Sequence, residues 1–377
     1  MQPELHNSSK KNHTSPQEIV INLTLRCPLK CAHCCFSSDM FQGGHLDLAS
    51  VLRVIEEAAA VPTIERINFV GGDPFLHQDI MEEAFHHASS KGLQCSATTS
   101  AYWATSADKA LKILSPLVKS GLSRIILSYD DPHAEFVAEH KIVNAFQAAR
   151  ALNIETYIAI AIEPGAIINR EYMERLLGIP PEGIEFVKVY ETAINSTGRA
   201  LEEATKEQIE SRRTNDLAYR GPCLSILRQI SIHSDGKLVP CCGVLPVREG
   251  LQMGDIFNDS LETSLSQAYD NPVFKWIAFE GPVAILRQIT ASTDHPLRDE
   301  DFDGICNACD VLFSNPKYMQ LLRDALPAKE PSLHLQEELY KSLGLFQPPA
   351  TASDKAPRNS RELPILMANS FTDGVKV

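Results

Sequence analysis

Ten cysteines are spread unevenly over 377 residues: four lie between Cys27 and Cys35, five between Cys223 and Cys309, and Cys95 stands apart. In a reducing compartment such a set favours metal binding or catalysis over a disulfide framework. Two groups of thiols imply two metal sites. The first, Cys27-Pro-Leu-Lys-Cys31-Ala-His-Cys34, places three thiols in one short loop. A [4Fe–4S] cluster ordinarily takes four thiolates, so three would leave one iron open to another ligand. The competing reading is zinc, completed by His33 or Cys35. In the second group Cys223, Cys241 of Gly236-Lys-Leu-Val-Pro-Cys241, and the pair Cys306-Asn-Ala-Cys309 form a four-thiolate set. That set suits an iron–sulfur cluster or a zinc ribbon. Cys35, Cys95 and Cys242 remain as spare thiols, expected to be packed in the core.

The elements that must position these residues follow from periodicity. Short β-branched runs at Ile19–Leu25, Arg66–Val70, Gln94–Thr99, Arg124–Tyr129, Glu155–Ile162 and Glu185–Tyr190 alternate with helical patterns. Runs apolar on both faces, joined by helices, predict a parallel sheet covered by helices. Helix signals include Asp47 before Leu48–Ala60, and Ser106 before Ala107–Ser120 with Gly121 as the stop. Asp131 before Pro132 reads as an N-cap pair, leaving His133 on the surface. Six such units predict an α/β fold, a partial (β/α)6 TIM-type barrel, followed by a small α+β cluster-binding domain. Reactive groups of such a barrel belong at the C-terminal ends of its strands. Cys27 follows the first run, Gly71-Gly72-Asp73-Pro74 the second, Ser100 the third, and Ser128 and Asp130 the fourth.

The expected organisation is a flexible N-terminus (1–17), a barrel (18–218), an auxiliary domain (219–325), a C-terminal helix (326–345) and a disordered tail (346–377). A hairpin turn is expected at Ser234–Lys237, between Gln229–His233 and Leu238–Pro240. Ile-Leu-Arg-Gln-Ile occurs at 226–230 and again at 285–289, and is read as coincidence. The formal charge of −13, with no basic run, argues against a nucleic-acid substrate. Neither a signal-peptide core nor an apolar run of roughly 18–20 residues is present. A cytoplasmic protein with no membrane association is expected.

Cys27, Cys31 and Cys34, in the pattern Cys-x3-Cys-x-aromatic-Cys after a first barrel strand, resemble the radical S-adenosylmethionine (SAM) superfamily. The resemblance implies a [4Fe–4S] cluster whose open iron binds SAM, reductive cleavage of SAM to a 5′-deoxyadenosyl radical, and abstraction of a substrate hydrogen atom. It also implies a low-potential electron donor such as flavodoxin or ferredoxin. His33 matches the aromatic position near the adenine. Gly71, Gly72, Asp73 and Pro74 resemble the family's Gly-Gly-Glu-Pro segment, which binds the SAM amino group. Asp73 is one methylene shorter than the family's glutamate, so that contact is expected to be re-angled or bridged by water. Ser100, Ser128 and Asp130 resemble polar positions that meet the methionine carboxylate or ribose.

The second group, with Thr197-Gly198-Arg199-Ala200 before it, resembles the auxiliary-cluster domains called SPASM or twitch. A full SPASM domain needs seven cysteines, so the twitch form is expected, with a second [4Fe–4S] cluster on Cys223, Cys241, Cys306 and Cys309. Such relatives most often modify ribosomally made peptides, by oxidation, cross-linking or epimerisation. Oxidative modification or cross-linking of such a peptide is therefore the expected activity, with a separate peptide-recognition protein as a further partner. Alternatives are a dehydrogenase or epimerase of a sugar or aminocyclitol, and a non-catalytic iron–sulfur or zinc protein.

Overall fold

The computed structural model describes residues 15–346. Most of the N-terminal segment and nearly all of the tail expected from sequence lie outside the described residues. The first six strands are β1 (Glu18–Thr24), β2 (Arg66–Gly71), β3 (Gln94–Thr99), β4 (Leu122–Ser128), β5 (Glu155–Ile162) and β6 (Val187–Ala193). They pair in parallel and in chain order. Helices α1 (Leu48–Ala60), α2 (Gln78–Ser90), α3 (Ala107–Lys119), α4 (Asp131–Ala134), α5 (Glu139–Ala151) and α6 (Arg170–Leu177) connect them. Asp47 and Ser106 cap α1 and α3 through their side chains, as expected.

β6 starts two residues later than its composition suggests and runs to Ala193. Gly183 and Phe186 have positive φ, and the Val187 N–H still donates to the Ile184 carbonyl, so the chain is turning where an extended run was expected. At α4 the cap is Asp130, not Asp131: its side chain accepts from the His133 N–H. Asp131 instead accepts from the Ile167 and Ile168 N–H groups and anchors the loop after β5.

After β6 come α7 (Arg199–Glu202) and α8 (Lys206–Arg213), then β7 (Gln229–Ile232), β8 (Lys237–Val239) and β9 (Gly254–Asp255). The expected hairpin is formed by β7 and β8, with Gly236 at positive φ. It does not stand apart from the barrel. β7 pairs in parallel with β1, Glu18 opposite Gln229 and Ile21 opposite Ile232, so one nine-stranded sheet runs β6-β5-β4-β3-β2-β1-β7-β8-β9. The barrel is thus left open between β6 and the hairpin end of the sheet.

Helices α9 (Leu261–Asp270), α10 (Pro272–Phe279), α11 (Pro282–Thr290), α12 (Ile305–Ser314) and α13 (Pro316–Ser342) complete the chain. The last helix begins ten residues before the expected 326, because Asn315 caps it and Pro316 fits its first turn. Among the described residues no helix is long and apolar enough to cross a membrane.

Two glycines let the end of β2 close onto the loop after β1. The Gly72 N–H donates to the Thr24 carbonyl (2.7 Å) and the Asp73 N–H to the Arg26 carbonyl (2.9 Å). A Cβ on Gly72 would sit 2.0 Å from the Arg26 oxygen, and one on Gly71 2.2 Å from that of Thr24. Gly72→Ala therefore forces the backbone apart, and should lower stability in urea unfolding by about 2 kcal/mol or more. Unchanged unfolding would show that this contact is not a constraint.

Candidate functional site

The loop after β1 is held by its own backbone and by one distant side chain. The Cys27 N–H donates to the Asp39 carbonyl and that of Cys34 to the Cys31 carbonyl (both 3.1 Å), and the Ser38 N–H donates to the Cys34 sulfur (3.3 Å). Arg199, 3 % exposed, donates to the carbonyls of Cys31 (3.0 Å) and Ser38 (2.8 Å), and its N–H donates to that of Cys34 (3.0 Å). Cys27, Cys31 and Cys34 open onto a cavity of about 520 Å³ at the C-terminal ends of the barrel strands. His33, Gly71, Gly72, Ser100 and Ser128 also line it, so the barrel order expected from sequence brings them together.

Burial, with Asp73 nearby, pushes the Cys27 thiol up to about 12, and burial with the Cys27 neighbour raises Cys31 as well. Arg199 favours both thiolates. Cys27 and Cys31, raised in this way, ionise readily only against a cation, which fits a site for a metal cluster. Three sulfurs and an adjoining cavity also leave room for a non-protein ligand.

Asp73 is placed differently from the expectation. It does not line the cavity. Its carboxylate is 1 % exposed and accepts from the Thr99 hydroxyl (2.9 and 3.0 Å), the Ser100 hydroxyl (2.8 Å), the Ser100 N–H (3.1 Å) and the Phe75 N–H (3.2 Å). The shorter side chain turns back onto the ends of β2 and β3. Pro74 is buried beside it in a 3-10 turn, Pro74–His77. The residues of this segment that reach the cavity are Gly71 and Gly72.

Asp130 is also occupied, and 1 % exposed. It meets the His133 Nδ1 (2.6 Å) and the His33 Nε2 (3.3 Å), and accepts from the Ala161 N–H (3.2 Å). Burial opposes its charge, but the two imidazoles hold the carboxyl well below the usual range. His133, expected on the surface, lines the cavity edge-on to His33 with ring centroids 4.8 Å apart. Donor atoms of Cys31, His33 and His133 lie within 4.8 Å of one another. With Asp130 holding one nitrogen of each ring, the imidazoles are oriented as cavity wall.

The second thiol group reaches the same cavity through Cys242. Cys306 and Cys309 share one face at the start of α12. The Cys223 N–H is tied to the Ile277 carbonyl (3.1 Å), and the Cys241 carbonyl accepts from the Ser231 hydroxyl (2.8 Å). The thiols act on one another: burial and Cys242 raise Cys223 to about 11, and burial with Cys242, Cys223, Cys309 and Cys35 raises Cys306. Cys223, Cys241, Cys306 and Cys309 are thus neighbours, each within electrostatic reach of Cys242.

Cys242 was expected to be an inert packed thiol, and it is not placed as one. It lines the cavity, as Cys35 does, and the neighbouring Cys241 thiol draws its own below the ordinary range. Gly243, at positive φ, turns the chain just after Cys242. Cys95 is buried far from both groups, at the start of β3.

Residues 21–178 match the family model of the radical SAM superfamily, and residues 223–310 that of SPASM, an iron–sulfur cluster-binding domain. A putative peptide biosynthesis protein, YydG, of Bacillus subtilis is 23% identical over 79% of this chain and 92% of its own length. A PqqA peptide cyclase of Granulibacter bethesdensis is 28% identical over 60% of this chain and 67% of its own. The solved structure of native anSMEcpe with bound AdoMet aligns with a TM-score of 0.51 at 12% identity, covering 87% of this chain and 100% of that one. That likeness agrees with the partial-barrel fold.

Burial raises the Asp73 carboxyl to about 6, so the folded protein holds its proton more tightly than the unfolded chain does. The stability this contributes is full below about pH 4 and is lost as pH rises through 6, a change of about 3 kcal/mol. Asp73→Asn should flatten the dependence between pH 4 and 7 in denaturant unfolding of the iron-free protein. An unaltered slope would contradict it.

Proposed function

This chain belongs to the radical SAM superfamily and carries a SPASM domain, and from that premise we propose that it modifies a residue of a ribosomally made peptide by hydrogen-atom abstraction. One observation carries the reading: the three thiols of the first loop line a cavity of about 520 Å³, and Cys242 of the second thiol group reaches the same cavity. A [4Fe–4S] cluster with an open iron supplies SAM binding and, when reduced, the 5′-deoxyadenosyl radical that abstracts hydrogen. Cys27, Cys31 and Cys34 would hold that cluster, and Cys223, Cys241, Cys306 and Cys309 the second. Gly71 and Gly72 leave space beside the first, Ser100 and Ser128 offer hydroxyls to the polar end of SAM, and His33, oriented by Asp130, forms the wall against its base. A flavodoxin or ferredoxin is the proposed electron donor. The peptide class is supported by the relatives, a putative peptide biosynthesis protein and peptide cyclases.

A substrate radical formed in this cavity must either give up an electron or take back a hydrogen atom. A fully thiolate-ligated second cluster suits the first outcome, an oxidation or cross-link. The position of Cys242 favours the second, because a thiol at the cavity wall can give a hydrogen atom to the opposite face of the substrate radical, the thiyl radical left behind being reduced by an electron from the flavodoxin or ferredoxin donor and a solvent proton. The reaction in deuterium oxide separates them, with the anaerobically reconstituted enzyme, SAM and a linear peptide selected for binding from a displayed library. Oxidation predicts a product two mass units lighter and turnover that survives Cys242→Ala. Inversion predicts an unchanged formula, one solvent deuterium at carbon, and loss of product in Cys242→Ala. Absence of SAM-dependent change in the peptide would overturn the peptide reading.

A further inference from the structure

β6 differs from the other barrel strands. None of its residues is fully buried, whereas all seven of β1 are. It pairs only with β5, and no strand lies on its other side. The opposite edge of the sheet, β9, is two residues long, so β6 is the one extended edge the described residues leave open.

The register decides which groups face outward. In a parallel strand the N–H and C=O of one residue point to the same side, alternating along the chain. The Phe186 carbonyl accepts from the Thr156 N–H, and the Ile194 N–H donates to the Ile162 carbonyl, so even-numbered residues point to β5. Val187, Val189, Glu191 and Ala193 point the other way. The Val187 N–H is used in the turn to Ile184, and the Ala193 carbonyl accepts from the Asn195 amide. The N–H and C=O groups of Val189 and Glu191 have no partner among the described residues. They repeat every two residues, about 6.6 Å along the strand.

This edge leads into the reaction chamber. Tyr190 and Thr192 line the cavity from β6, and Ala193, Ile194 and Asn195 continue its wall. We propose that an extended segment of the polypeptide substrate adds to the outer edge of β6, pairing with the backbone of Val189 and Glu191, and is thereby fed into the cavity beside the cysteine loop. The proposal rests on the peptide reading above and adds where and how the peptide is held. An extended backbone alone offers donors and acceptors at the matching repeat, independent of its side chains. A sugar or aminocyclitol cannot satisfy a row of this kind.

The test uses a displayed library of random linear peptides selected on the anaerobic, SAM-loaded enzyme, followed by amide hydrogen exchange with a selected peptide. Exchange at Val189 and Glu191 should be fast in the free enzyme and slow several-fold when the peptide is added. Val189→Pro removes one outward N–H, a change tolerated at a strand edge, and should weaken capture about fivefold to tenfold, the worth of one hydrogen bond. Val189→Ala, which keeps that N–H, controls for lost packing and should capture at the wild-type level. Slowed exchange elsewhere but not in β6, or equal capture by Val189→Pro, would overturn the β6 site while leaving the peptide reading standing. Slowing that follows enzyme concentration without peptide would assign the edge to a second copy of the chain and overturn the proposal. Failure to enrich any peptide would count against the peptide reading itself.

Discussion

Arg199 is the contact on which the arrangement of the site depends. Its guanidinium is buried and ends on two carbonyls of the cysteine loop, those of Cys31 and Ser38, while its own N–H binds a third, that of Cys34. A buried charge is costly unless its donors are satisfied. Here the carbonyls that satisfy it fix the path of the loop that carries Cys27, Cys31 and Cys34. Gly198, next to it, packs so closely that a Cβ would lie 2.2 Å from the Cys35 carbonyl oxygen. The chain leaving β6 is therefore clamped onto the loop leaving β1. Asp303, accepting from the Ser196 N–H, and Asn307, donating to the Ser196 carbonyl, extend the clamp to the start of α12 and the second thiol group.

Two carboxylates complete the frame without facing the cavity. Asp73 gathers hydroxyl and backbone donors from the end of β3 and an N–H from its own turn, and the Trp103 indole N–H donates to the Thr99 hydroxyl that it holds (3.0 Å). Asp130 does the same work for the imidazoles of His33 and His133. In both cases an acidic group satisfied inside the protein fixes the orientation of cavity-facing neighbours, which favours binding without reorganisation.

Local signals were readable where local chemistry sets structure. The capped helix Leu48–Ala60, the strands Gln94–Thr99 and Glu155–Ile162, and the loop cysteines all fall where their patterns put them. Features made by distant residues were not readable. The parallel pairing of β7 with β1 joins segments some two hundred residues apart and leaves no periodic mark. The reach of Arg199 to Cys31, the turning of Asp73 away from the cavity and the exposure of Cys242 to it are likewise products of packing. The repeated Ile-Leu-Arg-Gln-Ile makes the point within one chain: its first copy ends in β7, and its second lies inside α11. Tertiary context overrides the same five residues in two ways.

The central claim is that two separate thiol groups, the first lining the cavity and the second reaching it through Cys242, each hold an iron–sulfur cluster, with the first alone responsible for SAM. Iron and zinc counting on the anaerobically reconstituted protein and its Cys27/Cys31/Cys34→Ala variant, with a SAM-cleavage assay on each, tests it most directly. The account predicts about eight irons in the wild type and about four in the variant, from two four-iron clusters, with 5′-deoxyadenosine formed by the wild type alone. A wild-type count near four with zinc making up the remainder would contradict the second cluster. SAM cleavage by the variant would contradict the first.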